Sequence, residues 1–298
     1  MSAKLTHAPL YRGPALALAD VCCAAPRSPA APEEFSRACT LAFPRRGVFV
    51  KHVGPTTLVA DSNVVVFFNR DEPYRVSHPV DGGDDCTVLR LREALLRDVL
   101  AALDPGAADR SDLRFGYTHA PAEPRWLLRI EALRRHLAQP SRDVLAAEEV
   151  AGALVAAVVG AAQRVRGVRL PRRANTADEH RRLANDTQVL LATRFAEPLT
   201  LAELAEIVAA SPFHLARVFR RQTGRSLHAY RTRLRLAATL PALADGAPDL
   251  ARVALRVGFA SHSHFTTAFQ QHFDVTPSAA RGRIAAGLCR ETSTISKA

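Results

Sequence analysis

Leu199–Thr223 reads LTLAELAEIVAASPFHLARVFRRQT, a stretch whose spacing predicts two short helices joined by a tight turn. Thr200 and Glu203 have the separation of a capping box, in which the hydroxyl accepts a backbone N–H and the carboxylate reaches back to the cap residue. Leu201, Leu204 and Ile207–Val208 fall on one apolar stripe, and Ala205 leaves room for a partner helix. Ala209-Ala210 turns the chain. Ser211 caps the next helix, and Pro212 takes its first position, where no N–H is needed. Leu215, Val218 and Phe219 recur at helical spacing and face a core, and Gly224 follows as a left-handed cap. Phe213, His214, Ala216, Arg217, Arg220 and Arg221 are left pointing outward.

The same plan returns at Leu250–Phe273. Asp249 caps a short helix that buries Val253, Ala254 and Val257. Gly258 makes the turn, Phe259 plugs the gap between helices, and Ser261 caps the second helix. Phe265, Ala268, Phe269 and Phe273 face inward, leaving His262, Ser263, His264, Thr266, Thr267, Gln270 and Gln271 outward. Between the units, Ser226–Ala244 reads as one long helix with Tyr230, Leu234, Leu236 and Leu240 inward and Arg231, Arg233 and Arg235 flanking. Pro241 predicts a kink or an early end, because it deletes a hydrogen bond and clashes with the preceding turn.

Charge follows the motifs. The chain has 298 residues and a net charge of +11. From Pro171 to Arg290 there are 17 Arg and 9 acidic residues, whereas the first 170 residues carry 22 basic and 19 acidic residues. A basic segment holding two helix-turn-helix units predicts a module that grips double-stranded DNA in two successive major-groove segments, roughly 34 Å apart. Arg217 has the reach for a bidentate bond to guanine, and Phe213 and Ala216 suit thymine methyls. Arg220 and Arg221, near the helix end, suit phosphates, which position without specifying. No Arg or Lys occurs from Gly258 to Ala280, so the second unit is expected to bind more weakly and with less salt dependence.

Leu201–Arg221 and Val253–Ala280 resemble the two subdomains of the AraC/XylS transcription regulators. The likeness rests on Ser211 to Phe219, Gly224, Val257-Gly258-Phe259, Ser263-His264-Phe265, Ala268-Phe269 and Val275-Thr276-Pro277. Thr267 and Ala280 depart from the basic and aromatic residues common at those places. The resemblance implies sequence-specific DNA binding, with base-facing positions at Phe213, Ala216 and Arg217, then His262, Ser263 and Thr267.

Upstream, the chain is expected to be α+β: a small N-terminal β-barrel with a helical segment, then an all-α C-terminal domain. Domains are expected at residues 1–110, 111–170 and 171–298. Residues 1–37, broken by Pro14, Pro26, Pro29 and Pro32, read as irregular. Val48–Val53, Thr57–Ala60, Val64–Phe68 and Thr87–Leu91 read as strands between glycine and Asp/Asn/Ser turns. Arg46–Val50, Val65–Arg70 and Glu72–Val80 resemble the cupin-like sensor domain of many such regulators. Leu91–Leu103, Trp126–Leu137 and Val144–Gln163 read as helices. The last has a small-residue stripe of Ala151, Leu154, Val155, Val158 and Ala162, suited equally to packing on the barrel or on a second subunit. Arg164–Ala174 reads as a linker and a new helix begins near Asn175.

No secretory pattern opens the chain, and no window is apolar enough for a membrane span, although Val144–Ala162 comes nearest. A cytoplasmic location is expected. His52, His78 and His119 lack the paired spacing of a metal-dependent cupin. No nucleophile, base and orienter stand together, so no enzyme activity and no cofactor are expected. Cys22, Cys23, His78 and Cys86 offer donors for a metal or a redox sensor, yet their spacing fits no zinc motif, and buried cysteine is also a common filler. The partners expected are DNA, with a small-molecule effector, RNA polymerase and a second copy of the chain as further partners. The alternative is a cupin-type enzyme or a metal or redox sensor fused to a DNA-binding module.

Overall fold

A computed structural model describes residues 4–103, 113–139, 143–166 and 174–286. The first half builds two antiparallel sheets. The larger contains β1 (Lys4–Arg12), β2 (Leu16–Ala24), β4 (Thr40–Gly47), β7 (Val64–Phe68), β9 (Asp84–Leu91) and β10 (His119–Pro121), in the order β1-β2-β9-β4-β7-β10. The smaller contains β3 (Glu34–Phe35), β5 (Phe49–Val53), β6 (Thr56–Ala60) and β8 (Pro73–Ser77), in the order β3-β8-β5-β6.

The period of two along each strand decides what covers the large sheet. Leu16, Leu18, Leu41, Phe43, Phe67 and Leu89 form one face and pack against helices. Their neighbours Ala19, Ala42, Val66 and Val88 form the other, against Phe49, Leu58 and Ala60 of the small sheet. The large sheet is thus apolar on both sides, and the arrangement is layered: small sheet, large sheet, helices. Short strands with frequent turns predict a small barrel or sandwich, and the described strands take the second form, two separately paired sheets face to face, with helices on the outer face of the larger.

The N-terminal segment expected to be irregular carries three strands, β1, β2 and β3, among its described residues. β1 and β2 form a hairpin, and β2 pairs with β9 from Leu16↔Leu91 to Cys23↔Asp84. β2 contains only one β-branched residue, and its partner lies some seventy residues away in sequence. Local propensity therefore gave no sign of it, since pairing with a distant edge overrides propensity. His119, beyond the last strand read from the sequence, begins β10 and pairs with Val66.

Helices α1 (Glu93–Leu103), α2 (Pro124–Leu137) and α3 (Val144–Arg166) follow the expected spans. Trp126, Ile130 and Leu133 of α2 are fully buried. The small-residue stripe of α3 is buried within the chain, against α1, α2 and β10. By length and composition alone α3 could cross a membrane, but half of its most apolar window is buried inside this fold. The expected domain boundaries at 110/111 and 170/171 lie outside the described residues, as do residues 167–173 of the expected linker.

The second half is helical: α4 (Ala174–Arg194), α5 (Leu201–Ile207), α6 (Pro212–Thr223), α7 (Leu227–Ala244), α8 (Leu250–Arg256), α9 (His262–Phe273) and α10 (Pro277–Ala286). The two helix-turn-helix units are anchored differently. Leu191, Leu204, Ala205, Leu215, Phe219, Tyr230 and Leu234 make a small core private to the first. Phe265, Phe269, Phe273, Ala280 and Ile284 of the second join the main core, where α9 and α10 rest on α2. Two expectations for the first unit fail: Leu201 and Ile207 are 42% and 49% exposed, because a seven-residue helix presents only Leu204 and Ala205 to its neighbours. α7 runs through Pro241 and ends one turn later at Ala244.

Candidate DNA interface

The sequence positions the two outward helices by equivalent devices. In α6, Ser211 Oγ accepts from the backbone N–H of His214 at 3.4 Å. In α9, Ser261 Oγ accepts from that of His264 at 3.1 Å. The capping box ahead of α5 is formed in both directions, with Thr200 N–H donating to Glu203 Oε2 at 2.7 Å and Glu203 N–H to Thr200 Oγ1 at 3.2 Å. Each turn closes on the same pair of backbone bonds: Ala210 N–H to Ala205 O at 2.9 Å and Ala209 N–H to Glu206 O at 3.1 Å in the first, Phe259 N–H to Ala254 O and Gly258 N–H to Leu255 O, both at 3.0 Å, in the second. The turn residue is left-handed in both: Ala209 at φ +52° and Gly258 at φ +94°. Gly258 is required for a second reason, since a β-carbon there would lie 2.3 Å from the Ala196 carbonyl oxygen. Gly224 closes α6 at φ +72° and Asp274 closes α9 at φ +59°.

On α6, Phe213 is 79% exposed, and Arg217, Arg220 and Arg221 are exposed. None of these three arginines makes an ion pair among the described residues, so the face is an unneutralised cationic surface. Ala216 is half-buried. His214 is half-buried too, its ring 5.4 Å from that of His180 on α4, so part of its surface is spent on the fold. On α9, His262, Ser263, His264, Thr267, Gln270 and Gln271 are exposed. Thr266 is half-buried, with its hydroxyl oxygen shielded and without a hydrogen-bond partner, which sets it apart from the outward residues with which the sequence grouped it.

The arginines of α7 do not flank the interface as free charges. Arg231 Nη1 donates to Leu199 O at 2.7 Å, and Arg235 Nε to Phe195 O at 2.6 Å. They satisfy carbonyls of the connector between α4 and α5. Burial and the charge of Arg231 lower the Arg235 guanidinium to about 10. Arg233 is buried: its Nε donates to Asn63 Oδ1 at 2.9 Å and its Nη2 donates to Ala122 O. Beside it, Tyr230 Oη donates to Asp61 Oδ2 at 2.6 Å. These bonds tie the helix joining the two units to the β6–β7 turn of the head. Burial raises both the Asp61 carboxyl and the Tyr230 phenol. Neither contact was legible in sequence, because an arginine on a helix reads as a solvated charge until its distant partners are known.

In the head, the four expected metal or redox candidates divide. Cys23 and His78 come together with Asp84, all three buried, with ligand atoms within 4.8 Å of one another. Cys86 joins them through Asp84, its Sγ donating to Asp84 Oδ2 at 3.2 Å. Cys22 faces the other way, toward Asp85. Asp84 was missed; its alternation with Cys86 along one strand was the available clue. Burial first, then Asp84, push the Cys23 thiol up to about 11. Burial also pushes the Cys86 thiol well above its ordinary value. Neutral thiols are poor nucleophiles, which disfavours a peroxide-reactive cysteine here.

A helix-turn-helix domain family model matches residues 204–283. The chain is 31% identical over 125 residues to the HTH-type transcriptional regulator ArgR of Pseudomonas aeruginosa, a stretch covering 42% of this chain and 38% of that protein. It is 32% identical over 80 residues to the multiple antibiotic resistance protein MarA of Escherichia coli, covering 27% of this chain and 63% of MarA. Over 95 residues it is 33% identical to the transcriptional regulator Rob of Salmonella typhimurium, covering 32% of this chain and 33% of Rob. The chain thus spans less than two thirds of the length of each of these relatives. Among solved structures, an apo form of a ToxT variant from Vibrio cholerae aligns over 91% of this chain and 98% of its own at a TM-score of 0.38 and 12% identity. Two capped helix pairs with a shared turn geometry coincide with the stretch that the family model matches, so residues 204–283 are a helix-turn-helix domain.

Proposed function

We propose that this chain is a sequence-specific DNA-binding regulator of transcription, in which α6 and α9 enter successive major-groove segments. The observation that carries this is the face of α6: three exposed arginines without a carboxylate partner among the described residues, beside a phenylalanine that is 79% exposed, on a capped helix. A polyanion with apolar base edges would cover the exposed ring and neutralise the cations beside it at once. Phe213, Ala216 and Arg217 face bases; Arg220 and Arg221 meet phosphates; His262, Ser263 and Thr267 read the second segment. His214 and Thr266, partly engaged in the fold, supply backbone or rim contacts.

The two-sheet head acts as the sensing part, working in the cytoplasm with a small-molecule effector, and the buried bonds of Asp61 and Asn63 to α7 are the route by which it would bias the reading helices. RNA polymerase and a second copy of the chain are the further partners this reading calls for. Catalysis plays no part in it.

Selection of bound fragments from genomic DNA, followed by footprinting, tests the proposal. One chain should protect a site of about 17–20 base pairs, two groove segments one turn apart with flanks. Equal affinity for selected and random duplexes at moderate salt, with the protein folded, would overturn it.

A further inference from the structure

We propose that Cys23, His78 and Asp84 form a zinc site in the head, with Cys86, bonded to Asp84 but outside that cluster, turning in as the fourth donor. Three separate segments supply the donors. Cys23 lies on β2 directly across from Asp84 on β9, and Cys86, two residues on, points to the same face. His78 arrives from the end of β8, where its backbone exchanges hydrogen bonds with Ser28 at 2.9 and 3.2 Å. Asp84 is the hub: its Oδ1 lies 3.1 Å from His78 Nε2 and its Oδ2 lies 3.2 Å from Cys86 Sγ. With zinc bonds of about 2.0–2.3 Å, neighbouring donors of a tetrahedral site lie roughly 3.3–3.8 Å apart. The Cys23, His78 and Asp84 donors need shift by little more than an ångström from their present spread of under 4.8 Å.

The backbone is shaped for this approach. Gly83 has φ +66°, and a β-carbon on it would sit 1.7 Å from the Cys23 carbonyl oxygen. Only glycine lets the turn bring Asp84 onto β2. All four donors are at most 8% exposed, so a cation here would be held away from bulk water. Two thiolates, an imidazole and a carboxylate suit zinc and exclude magnesium and calcium, which take oxygen donors. On binding, each cysteine loses its proton to solvent and the histidine is neutral at its ligating nitrogen.

The test uses tag-free full-length protein stripped with a chelator and titrated with Co2+, then Zn2+. Expected are one equivalent of cobalt with thiolate-to-cobalt charge transfer and tetrahedral visible bands, displaced by zinc, and a zinc-dependent rise in Tm. Cys23→Ser and His78→Asn should lose the bands and the Tm response, while Cys22→Ser keeps both. If Cys23→Ser does not fold, the milder His78→Asn and the wild-type Tm shift decide. A folded wild-type chain with neither bands nor a Tm response to zinc overturns the site, and so does full retention of the bands in Cys23→Ser or His78→Asn.

Discussion

At the scale of single residues, the interface and the head put charge to opposite uses. Arg217 is exposed and makes no ion pair among the described residues, free to give two of its donors to one base. Arg217→Ala should weaken binding to the selected site by roughly 1–3 kcal/mol and relax preference at one base position, as read by competition against single-base variants of that site. Arg220→Ala should instead weaken all duplexes alike and lower the salt slope by about 1. In the head, Lys51 is 1% exposed, bonded to Phe67 O and 4.2 Å from the Phe68 ring centroid. Burial lowers its ammonium from 10.5 to about 8. Below pH 8 both folded and unfolded chains carry the proton. Between about 8 and 10.5 only the unfolded chain does, so this group makes stability rise with pH across that window. Lys51→Met should remove that rise and leave stability at pH 7 equal or higher, since an apolar chain of similar volume avoids burying a charge. Denaturant melts across the window check both parts.

At the scale of elements, caps and turns hold the two outward helices. Ser261→Ala should cost about 1 kcal/mol, the usual worth of an N-cap. Gly258→Ala should cost more, on the order of 2 kcal/mol or above, because left-handed strain adds to the collision with Ala196. Ala209 already bears the left-handed strain at the matching turn of the first unit. Melting curves of the two variants should therefore rank in that order, and equal losses would mean the Ala196 contact relaxes freely. These elements were legible because helix signals are local: Thr200, Ser211, Gly224, Asp249 and Ser261 all sit where their spacing placed them. The exposure of Leu201 and Ile207 was not, since a periodic stripe tells which face is apolar but not whether a neighbour is long enough to cover it.

For the whole molecule, the contrast between the two units matters most. The first has a core of its own, and its hold on the head includes the Tyr230–Asp61 and Arg233–Asn63 bonds. The second is continuous with the main core through α2. Tyr230→Phe leaves the buried Asp61 carboxyl short of a donor, a loss of about 1–3 kcal/mol. Hydrogen exchange should then speed up across α4–α6 while α9 and α10 keep their protection, because regions with separate cores open separately. Uniform acceleration would show that the chain unfolds as one unit.

Sequence alone determined the two capped helix pairs and most of the face that each turns outward. Capping residues, turn positions and helical periodicity act within a few residues of one another, so the chain states them openly. The tertiary structure decided what depends on distant partners: the β1–β2 hairpin that β9 recruits, the two-sheet layering, the burial of Arg233, and the meeting of Cys23 and His78 with Asp84. In each of these, the stabilising contact lies far away in sequence, and only the folded chain brings its two halves together.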